Sequence, residues 1–261
     1  METPSVPGLL DFSGKGVLVT GSGQGLGAGI ALRFAEAGAN VAVHFRSSEE
    51  PAREVVAQIE ASGGKAVLVH GDVTVEAEVE ELVDSAWRGL GCLDVLINNA
   101  GAYPLSTLID MSVEEWTTVI ESNLSSVFLC TRAAARKWVD AERKGVIVNI
   151  ASIEGEAPAP MHSHYNAAKA AVIMLTRSSA QELGPSGIRV NCVSPGLIWR
   201  QGIEEAWPEG VERWREAAPL GRMGRPEDVA DACLFLSSEG SRWITGANLR
   251  VDGGVMSRPV F

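Results

Sequence analysis

Short apolar runs, separated by turns rich in Gly, Asn or Asp and by longer stretches of helical period, recur from one end of the chain to the other. The runs lie at 16–20, 40–45, 66–70, 93–97, 146–150, 188–193 and 248–251. This rhythm marks successive βαβ units, because parallel strands need a crossover long enough to hold a helix. Most of the runs are continuously apolar rather than alternating, so helices must cover both faces of the sheet. Helices are expected at 25–37, 49–62, 75–88, 113–140, 165–183 and 226–236. Pro226 followed by Glu227 and Asp228 suits a first helical turn, where a missing N–H costs little and acids meet the positive end of the dipole. The fold class read from this pattern is α/β with a parallel sheet.

No repeat, linker or low-complexity tract interrupts the series, so residues 1–261 are expected to form one domain. At that length a single core needs no disulfide or metal to hold it. With 22 Lys+Arg against 33 Asp+Glu the net charge is −11, which repels a polyanion; no nucleic-acid partner is expected. No window reaches the ~20 apolar residues of a membrane span. The start, Met1-Glu2-Thr3-Pro4, lacks the basic and apolar regions of a signal peptide, so a cytoplasmic protein with no membrane partner is expected. Cys92, Cys130, Cys192 and Cys233 are widely spaced and read as small buried hydrophobes rather than metal or redox groups. Residues 197–225 break the rhythm. This stretch carries Trp199, Trp207 and Trp214 among acids and arginines, follows the carboxyl end of a strand, and is long for an αβ connection; it is expected to act as a substrate lid.

The first run leads into Thr20-Gly21-Ser22-Gly23-Gln24-Gly25-Leu26-Gly27, and a helix follows. Glycines let backbone approach a ligand closely and adopt positive φ, and the helix start offers free N–H groups to a pyrophosphate. At the first βα junction of a βαβ series this points to a dinucleotide. The next strand ends in Phe45-Arg46-Ser47-Ser48. No carboxylate stands there to accept from a ribose 2′-OH, while Arg46 and Ser47 suit a 2′-phosphate. NADP(H) is therefore preferred, with NAD(H) possible.

Tyr165 and Lys169 stand one helical turn apart on a common face. A phenol with a pKa of about 10 exchanges protons poorly at neutral pH, and a nearby ammonium lowers that value toward the working range. The run ending Asn149-Ile150-Ala151-Ser152 delivers a serine to the carboxyl edge of the sheet, and Asn98-Asn99-Ala100-Gly101 ends another strand at the same edge. Together with Thr20-Gly21-x-x-x-Gly25-x-Gly27, Asp72-Val73, Asn123, Tyr165-x-x-x-Lys169, Pro195-Gly196 and Asp252-Gly253-Gly254, these pieces resemble the short-chain dehydrogenase/reductase family over nearly the whole chain.

The resemblance implies a single doubly wound parallel sheet of about seven strands, the Rossmann fold, and an NAD(P)(H)-dependent enzyme interconverting a secondary alcohol and a ketone. By the same resemblance Tyr165 is the acid/base, Ser152 orients the substrate oxygen, Lys169 holds the nicotinamide ribose and lowers the tyrosine pKa, and Asn123 anchors a water of the proton relay. The implied cofactor set is Gly21, Ser22, Gln24, Gly25, Leu26, Gly27, Phe45, Arg46, Ser47, Asp72, Val73, Asn99, Ala100, Gly101, Tyr165, Lys169, Pro195, Gly196 and Ile198. Two positions depart from the family's pattern: Arg200 stands where a cofactor-contacting threonine is common, free to reach the pyrophosphate instead, and Gln24 where NADP-preferring relatives often carry a basic residue.

Around the site the sequence gathers Glu154, Glu156, His162 and His164 from one loop, Ala102, Tyr103 and Pro104 from another, and the tryptophans of the lid. The expected substrate contacts are Ser152, Glu154, His162, Tyr165, Trp199 and Trp207. His162 and His164 lack a completing carboxylate motif, so no metal is expected. A sugar or polyol fits this mixture, and so does a β-keto ester or acyl thioester, as in 3-oxoacyl carrier protein reductases. The acidic charge disfavours an acidic carrier as a partner. A dinucleotide sensor without turnover is the alternative from another class; such proteins typically lose the Tyr or the Lys. A homotetramer is expected from the family, through alanine-rich helices at 113–140 and 165–183.

Overall fold

All seven apolar runs form strands: β1 (Gly16–Val19), β2 (Asn40–Phe45), β3 (Lys65–His70), β4 (Val95–Asn98), β5 (Gly145–Ile150), β6 (Ile188–Pro195) and β7 (Asn248–Val251). Every pairing is parallel, in the order β3-β2-β1-β4-β5-β6-β7. This computed structural model describes residues 5–257; Met1, Glu2, Thr3 and Pro4 lie outside the described residues. Among the described residues no helix is long and apolar enough to cross a membrane.

The helices are α1 (Gly25–Glu36), α2 (Glu49–Ala61), α3 (Glu76–Leu90), α4 (Val113–Ile120), α5 (Ser126–Asp140), α6 (Ser163–Leu183), α7 (Ile203–Ala206), α8 (Pro208–Ala217) and α9 (Pro226–Ser237). Successive strand residues point to opposite faces, and β1 shows the result. Val17 and Val19 pack with Ile30 and Phe34 of α1, Ile59 of α2 and Val229 of α9, whereas Leu18 packs with Leu82 of α3 and Ala134 and Trp138 of α5. Each face is therefore sealed by its own helices, as the unbroken apolar strands require. Trp138 is fully buried and donates its Nε1–H to the Leu93 carbonyl at 2.7 Å. A Cβ on Gly145 would stand 2.3 Å from its indole, so β5 has to begin with a glycine.

Two boundaries differ from the sequence reading in ways that matter. The helix expected across 113–140 is interrupted: a π-helical turn, Glu121–Ser125, separates α4 from α5. A π turn of five residues is too short to show a period of its own between two helical stretches, which is why the pattern conceals it. Residues 197–225 fold into α7 and α8, with a small core of Ile203, Val211 and Met223 packed by Leu197 and Trp214.

The strand order reverses between β1 and β4, so their crossovers leave in opposite directions and open a crevice at the carboxyl edge. In open α/β sheets that crevice is where ligands bind.

Candidate active site

At the nucleotide end, Gly21 has φ +63° and Gly25 φ +56°, conformations that side chains rarely adopt. A Cβ on Gly27 would lie 2.2 Å from the Gly21 carbonyl oxygen, so α1 can start this close to the turn only with glycine there. The turn is tied to β4 by Thr20, whose Oγ1 accepts the Asn99 and Ala100 amides at 2.9 and 3.0 Å. Asn99 returns the contact, its Nδ2 donating to the Thr20 and Gly21 carbonyls at 2.9 and 3.1 Å. Ser22 faces inward: its fully buried hydroxyl donates to the Val19 carbonyl at 2.7 Å and accepts the His44 amide at 2.9 Å. Only its backbone therefore remains for the cofactor role the sequence assigned to it. At the end of β2, Phe45 packs against His70 with ring centroids 5.0 Å apart, while Arg46 and Ser47 are exposed. Arg46 stands 3.6 Å from the Asp72 carboxylate. Burial opposes ionisation of Asp72, but hydrogen bonds from Thr74 and the Arg46 charge hold it below its ordinary value. Val73 is buried in the core.

At the chemical end, Ser152, Tyr165, Lys169 and Asn123 come together. Ser152 follows β5 in extended backbone and its hydroxyl accepts the Glu154 amide at 3.1 Å. Tyr165 lies in the first turn of α6, and the Lys169 ammonium sits 5.4 Å from its ring centroid. Lys169 is only 4% exposed and donates to the Ile150 carbonyl at 2.8 Å. Burial pushes its amine down to about 8. The π turn carries Asn123, which is fully buried and donates to the Ala102 and Val119 carbonyls at 2.7 and 3.0 Å. Its Oδ1 has no partner among the described residues. A Cβ on Gly101 would meet that Oδ1 at 2.4 Å and the Lys169 Nζ at 3.8 Å, so this glycine keeps open the approach between the two.

One expectation is reversed. The Tyr165 phenol is raised above its ordinary value, first by burial and then by the nearby Glu154 carboxylate; a hydrogen bond from Ser152 acts in the opposite direction. Lys169, itself buried and engaged by Ile150, does not offset the cost of desolvating a phenolate.

The mouth is formed by groups the sequence placed there in part. Glu154 accepts from His162 Nδ1 at 2.8 Å, and the His162 ring lies 5.7 Å from that of Tyr165. Tyr103 approaches Tyr165 edge-on at 6.1 Å. Arg200 donates to the Tyr103 hydroxyl at 2.9 Å and stacks over its ring, so it braces the mouth instead of extending toward a pyrophosphate. Glu156 and His164 drop out: Glu156 pairs with Arg250 and Asn248 of β7, and His164 is fully buried, accepting the Tyr165 amide. Trp199 lines a separate cavity of about 550 Å³ with Arg215, Arg222 and Arg225, and none of Ser152, Tyr165, Lys169 or Asn123 lines it. Trp207 covers Gly210. The tryptophan of residues 197–225 that does reach the expected nicotinamide segment is Trp214, whose ring would lie 2.6 Å from a Cβ on Gly196. Ile198 bridges to Gly224, which holds the start of the segment 197–225 beside α9.

Sequence reasoning missed a buried ladder beneath the site. Asn98 donates to Asn149 at 2.8 Å and to Thr131 at 3.1 Å, and Asn149 donates to Thr176 at 2.9 Å, pinning β4, β5, α5 and α6 to one another. Asn at the same register of two neighbouring central strands was the available signal.

Comparison with known proteins identifies the family. A family model described as Enoyl-(Acyl carrier protein) reductase matches residues 21–256. The chain is 42% identical over 253 residues to 3beta-hydroxysteroid dehydrogenase 1 of Eggerthella lenta, covering 96% of this chain and 97% of the relative. It is 39% identical over 241 residues to the 3-oxoacyl-(acyl-carrier-protein) reductase FabG of Staphylococcus aureus, covering 92% and 98%. Among solved structures, a short-chain type dehydrogenase/reductase from Mycobacterium marinum superposes with a TM-score of 0.92 at 40% identity over 97% of this chain and 100% of that one. A 7 alpha-hydroxysteroid dehydrogenase complexed with NADH and 7-oxo glycochenodeoxycholic acid gives 0.90 at 34% identity over 96% and 98%. The chain belongs to the short-chain dehydrogenase/reductase family, oxidoreductases that use NAD(P)(H) and act on CH–OH groups.

Proposed function

We propose that this enzyme interconverts a secondary alcohol and a ketone, with Tyr165 as the group that moves the proton. The observation that carries the reading is the convergence of Ser152, Tyr165, Lys169 and Asn123 where the carboxyl ends of β4 and β5 meet the first turns of α6. The residues present fit a dinucleotide. No side chain caps the start of α1, there is open space beside Gly25, and Asn123 Oδ1 stands unpartnered near Lys169. Gly21, Gly25, Leu26 and Gly27 with Gln24 would hold the pyrophosphate, Asp72, Val73, Asn99, Ala100 and Gly101 the adenosine side, and Pro195, Gly196 and Ile198 the nicotinamide. When bound, that ring supplies or accepts the hydride.

The chain's own share is orientation and proton handling. Ser152 holds the substrate oxygen and biases the phenol toward ionisation; Tyr165 gives that oxygen a proton or takes one. Lys169 places positive charge beside the phenol and a donor beside the ribose. NADP(H) is the preferred form, with Arg46 as the group that meets the 2′-phosphate once it leaves Asp72; NAD(H) remains usable.

The substrate is a small molecule of sugar, polyol or keto-ester type, admitted past Glu154, His162 and Tyr103, with residues 197–225 as the lid of a one-domain chain. The similarity to a 3-oxoacyl-(acyl-carrier-protein) reductase supports a second reading, although the net charge of −11 works against docking an acidic carrier. The presence of both Tyr165 and Lys169 argues against a sensor without turnover. We place the protein in the cytoplasm, where four free cysteines persist. We also read it as a homotetramer, since α4, α5 and α6 leave Trp116, Phe128 and Met174 exposed; a monomeric mass by light scattering would remove that part. The deciding experiment follows NAD(P)H absorbance over polyols, β-keto esters, acyl thioesters and hydroxysteroids. Turnover of at least one class, lost in Tyr165→Phe, is expected. Cofactor binding with no turnover in either direction overturns the reading in favour of a sensor.

A further inference from the structure

His44, near the end of β2, is 2% exposed and belongs to no part of the chemistry described above. Its Nδ1 accepts the Gly21 amide at 2.8 Å, and its Nε2 faces the Gly71 carbonyl at 2.9 Å. An amide is a donor and a carbonyl an acceptor, so the ring must be the neutral tautomer with its proton on Nε2. Its backbone adds two further ties: the His44 carbonyl accepts the Ser22 amide and the His44 amide donates to the Ser22 hydroxyl, both at 2.9 Å. One imidazole thus spans the carboxyl ends of β1, β2 and β3 and sets the direction of the Gly21 amide, in a residue whose φ of +63° backbone preference alone does not secure.

The geometry points to His44 as a positioning residue for dinucleotide binding, acting through Gly21, and as the group that makes that binding sensitive to acid. This rests on the reading that the glycine turn holds the dinucleotide. A second ring proton would set an N–H against the Gly21 N–H, and the turn would lose the contact that orients it. The charged and titratable groups facing the ring are Arg46 from its own strand end and His70 and Asp72 from the β3 side. Burial is the largest influence and holds the ring neutral below its ordinary value; the Gly71 contact and Asp72 favour the proton, while His70 and Arg46 oppose it. Cofactor affinity should be flat from pH 8 to 7 and fall at acid pH, separately from any ionisation of Tyr165.

The test is the Kd of NADPH and NADH, read by fluorescence between pH 8 and 5, for the full chain and for His44→Leu and His44→Asn. Exchange protection of the peptide spanning Gly21 and the KM for the alcohol are read alongside. Wild type is expected to bind more weakly as the pH falls from 7 toward 5, as the second ring proton is taken up. His44→Leu should bind about tenfold more weakly at pH 7.5, with a flat pH dependence, faster exchange at Gly21 and an unchanged KM. His44→Asn, which keeps a donor and an acceptor, should recover part of the affinity but not the acid dependence. If His44→Leu fails to fold, His44→Asn decides by the same readouts. A wild-type Kd that stays flat to pH 5, or a folded variant that keeps both the affinity and the acid limb, overturns the inference. Wild type that binds neither dinucleotide at pH 7.5 ends the functional reading, and this one with it.

Discussion

The turn after β1 and the cleft between β5 and α6 occupy the same edge of the sheet, but their polar groups are treated differently. At the turn, Thr20, Asn99, Ser22 and His44 satisfy one another, mostly through backbone partners, and the surface offered outward is glycine and helix N–H. In the cleft, Asn123 Oδ1 and His162 Nε2 lack partners among the described residues, an ammonium is buried on one carbonyl, and a phenol is held against ionisation. Buried polar groups without partners are costly. On the proposed function, the turn is a binding surface preset by groups that have nothing further to gain, and the cleft a reacting surface that keeps groups in need of a partner.

The largest expected effect breaks the cleft while leaving the turn intact. Tyr165→Phe should lower kcat by about 10² to 10⁴-fold while cofactor Kd stays within a factor of two; a coupled loss of affinity would show that the two regions are not separable. Lys169→Met asks whether the cleft really carries a stability cost. The unfolded chain keeps this proton up to the ordinary lysine value of 10.5, the folded chain only to about 8, so stability rises as pH climbs through that window and the full cost is borne below it. The variant should therefore be more stable than wild type at pH 7, by about 3 kcal/mol, with the gap closing toward pH 10.5, while its activity is expected to be lost. Melting below wild type at pH 7 would refute the cost.

The corresponding change at the turn has the opposite sign. In Gly27→Ala the new methyl meets the Gly21 carbonyl and the Asn99 amide, so stability should drop by about 1–3 kcal/mol with weakened cofactor binding, as seen in denaturation and fluorescence titration. An unchanged Kd would show that the turn is not preset. Smaller still, Arg46→Ala should reduce the NADP(H) over NAD(H) affinity ratio by about tenfold, and a constant ratio would remove Arg46 from cofactor choice. The smallest effect belongs to Glu154→Gln. Removing a carboxylate that raises the Tyr165 phenol should move the acidic limb of the alcohol-oxidation profile to lower pH; a shift to higher pH would contradict the electrostatics of the mouth.

The same contrast explains what was legible in the sequence. Strands β2 and β7 and the start of α9 are found as read, because each is written in local pattern: apolar runs, and Pro226 ahead of two acids. The cluster of Ser152, Tyr165 and Lys169 was readable because sheet topology places all strand ends on one edge. What stayed hidden depends on side chains meeting across the sheet. His44 reads as one more residue of an apolar run, yet its partners are contributed by Gly21 and Gly71. The direction of the Tyr165 shift was misread because charge spacing is visible in a sequence and burial is not. Trp199 and Trp207 were preferred over Trp214 because indoles near a strand end look alike until the small core of residues 197–225 decides which of them turns inward.

The π turn at Glu121–Ser125 gives the chain a kind of gearing. An α-helix advances about 100° per residue, so deleting a single residue here would restore ordinary winding and rotate Asn123 away from Gly101. Substitutions within the segment are tolerable to the extent that they preserve length; a one-codon loss would turn Asn123 out of phase with Lys169 while leaving both flanking helices well formed.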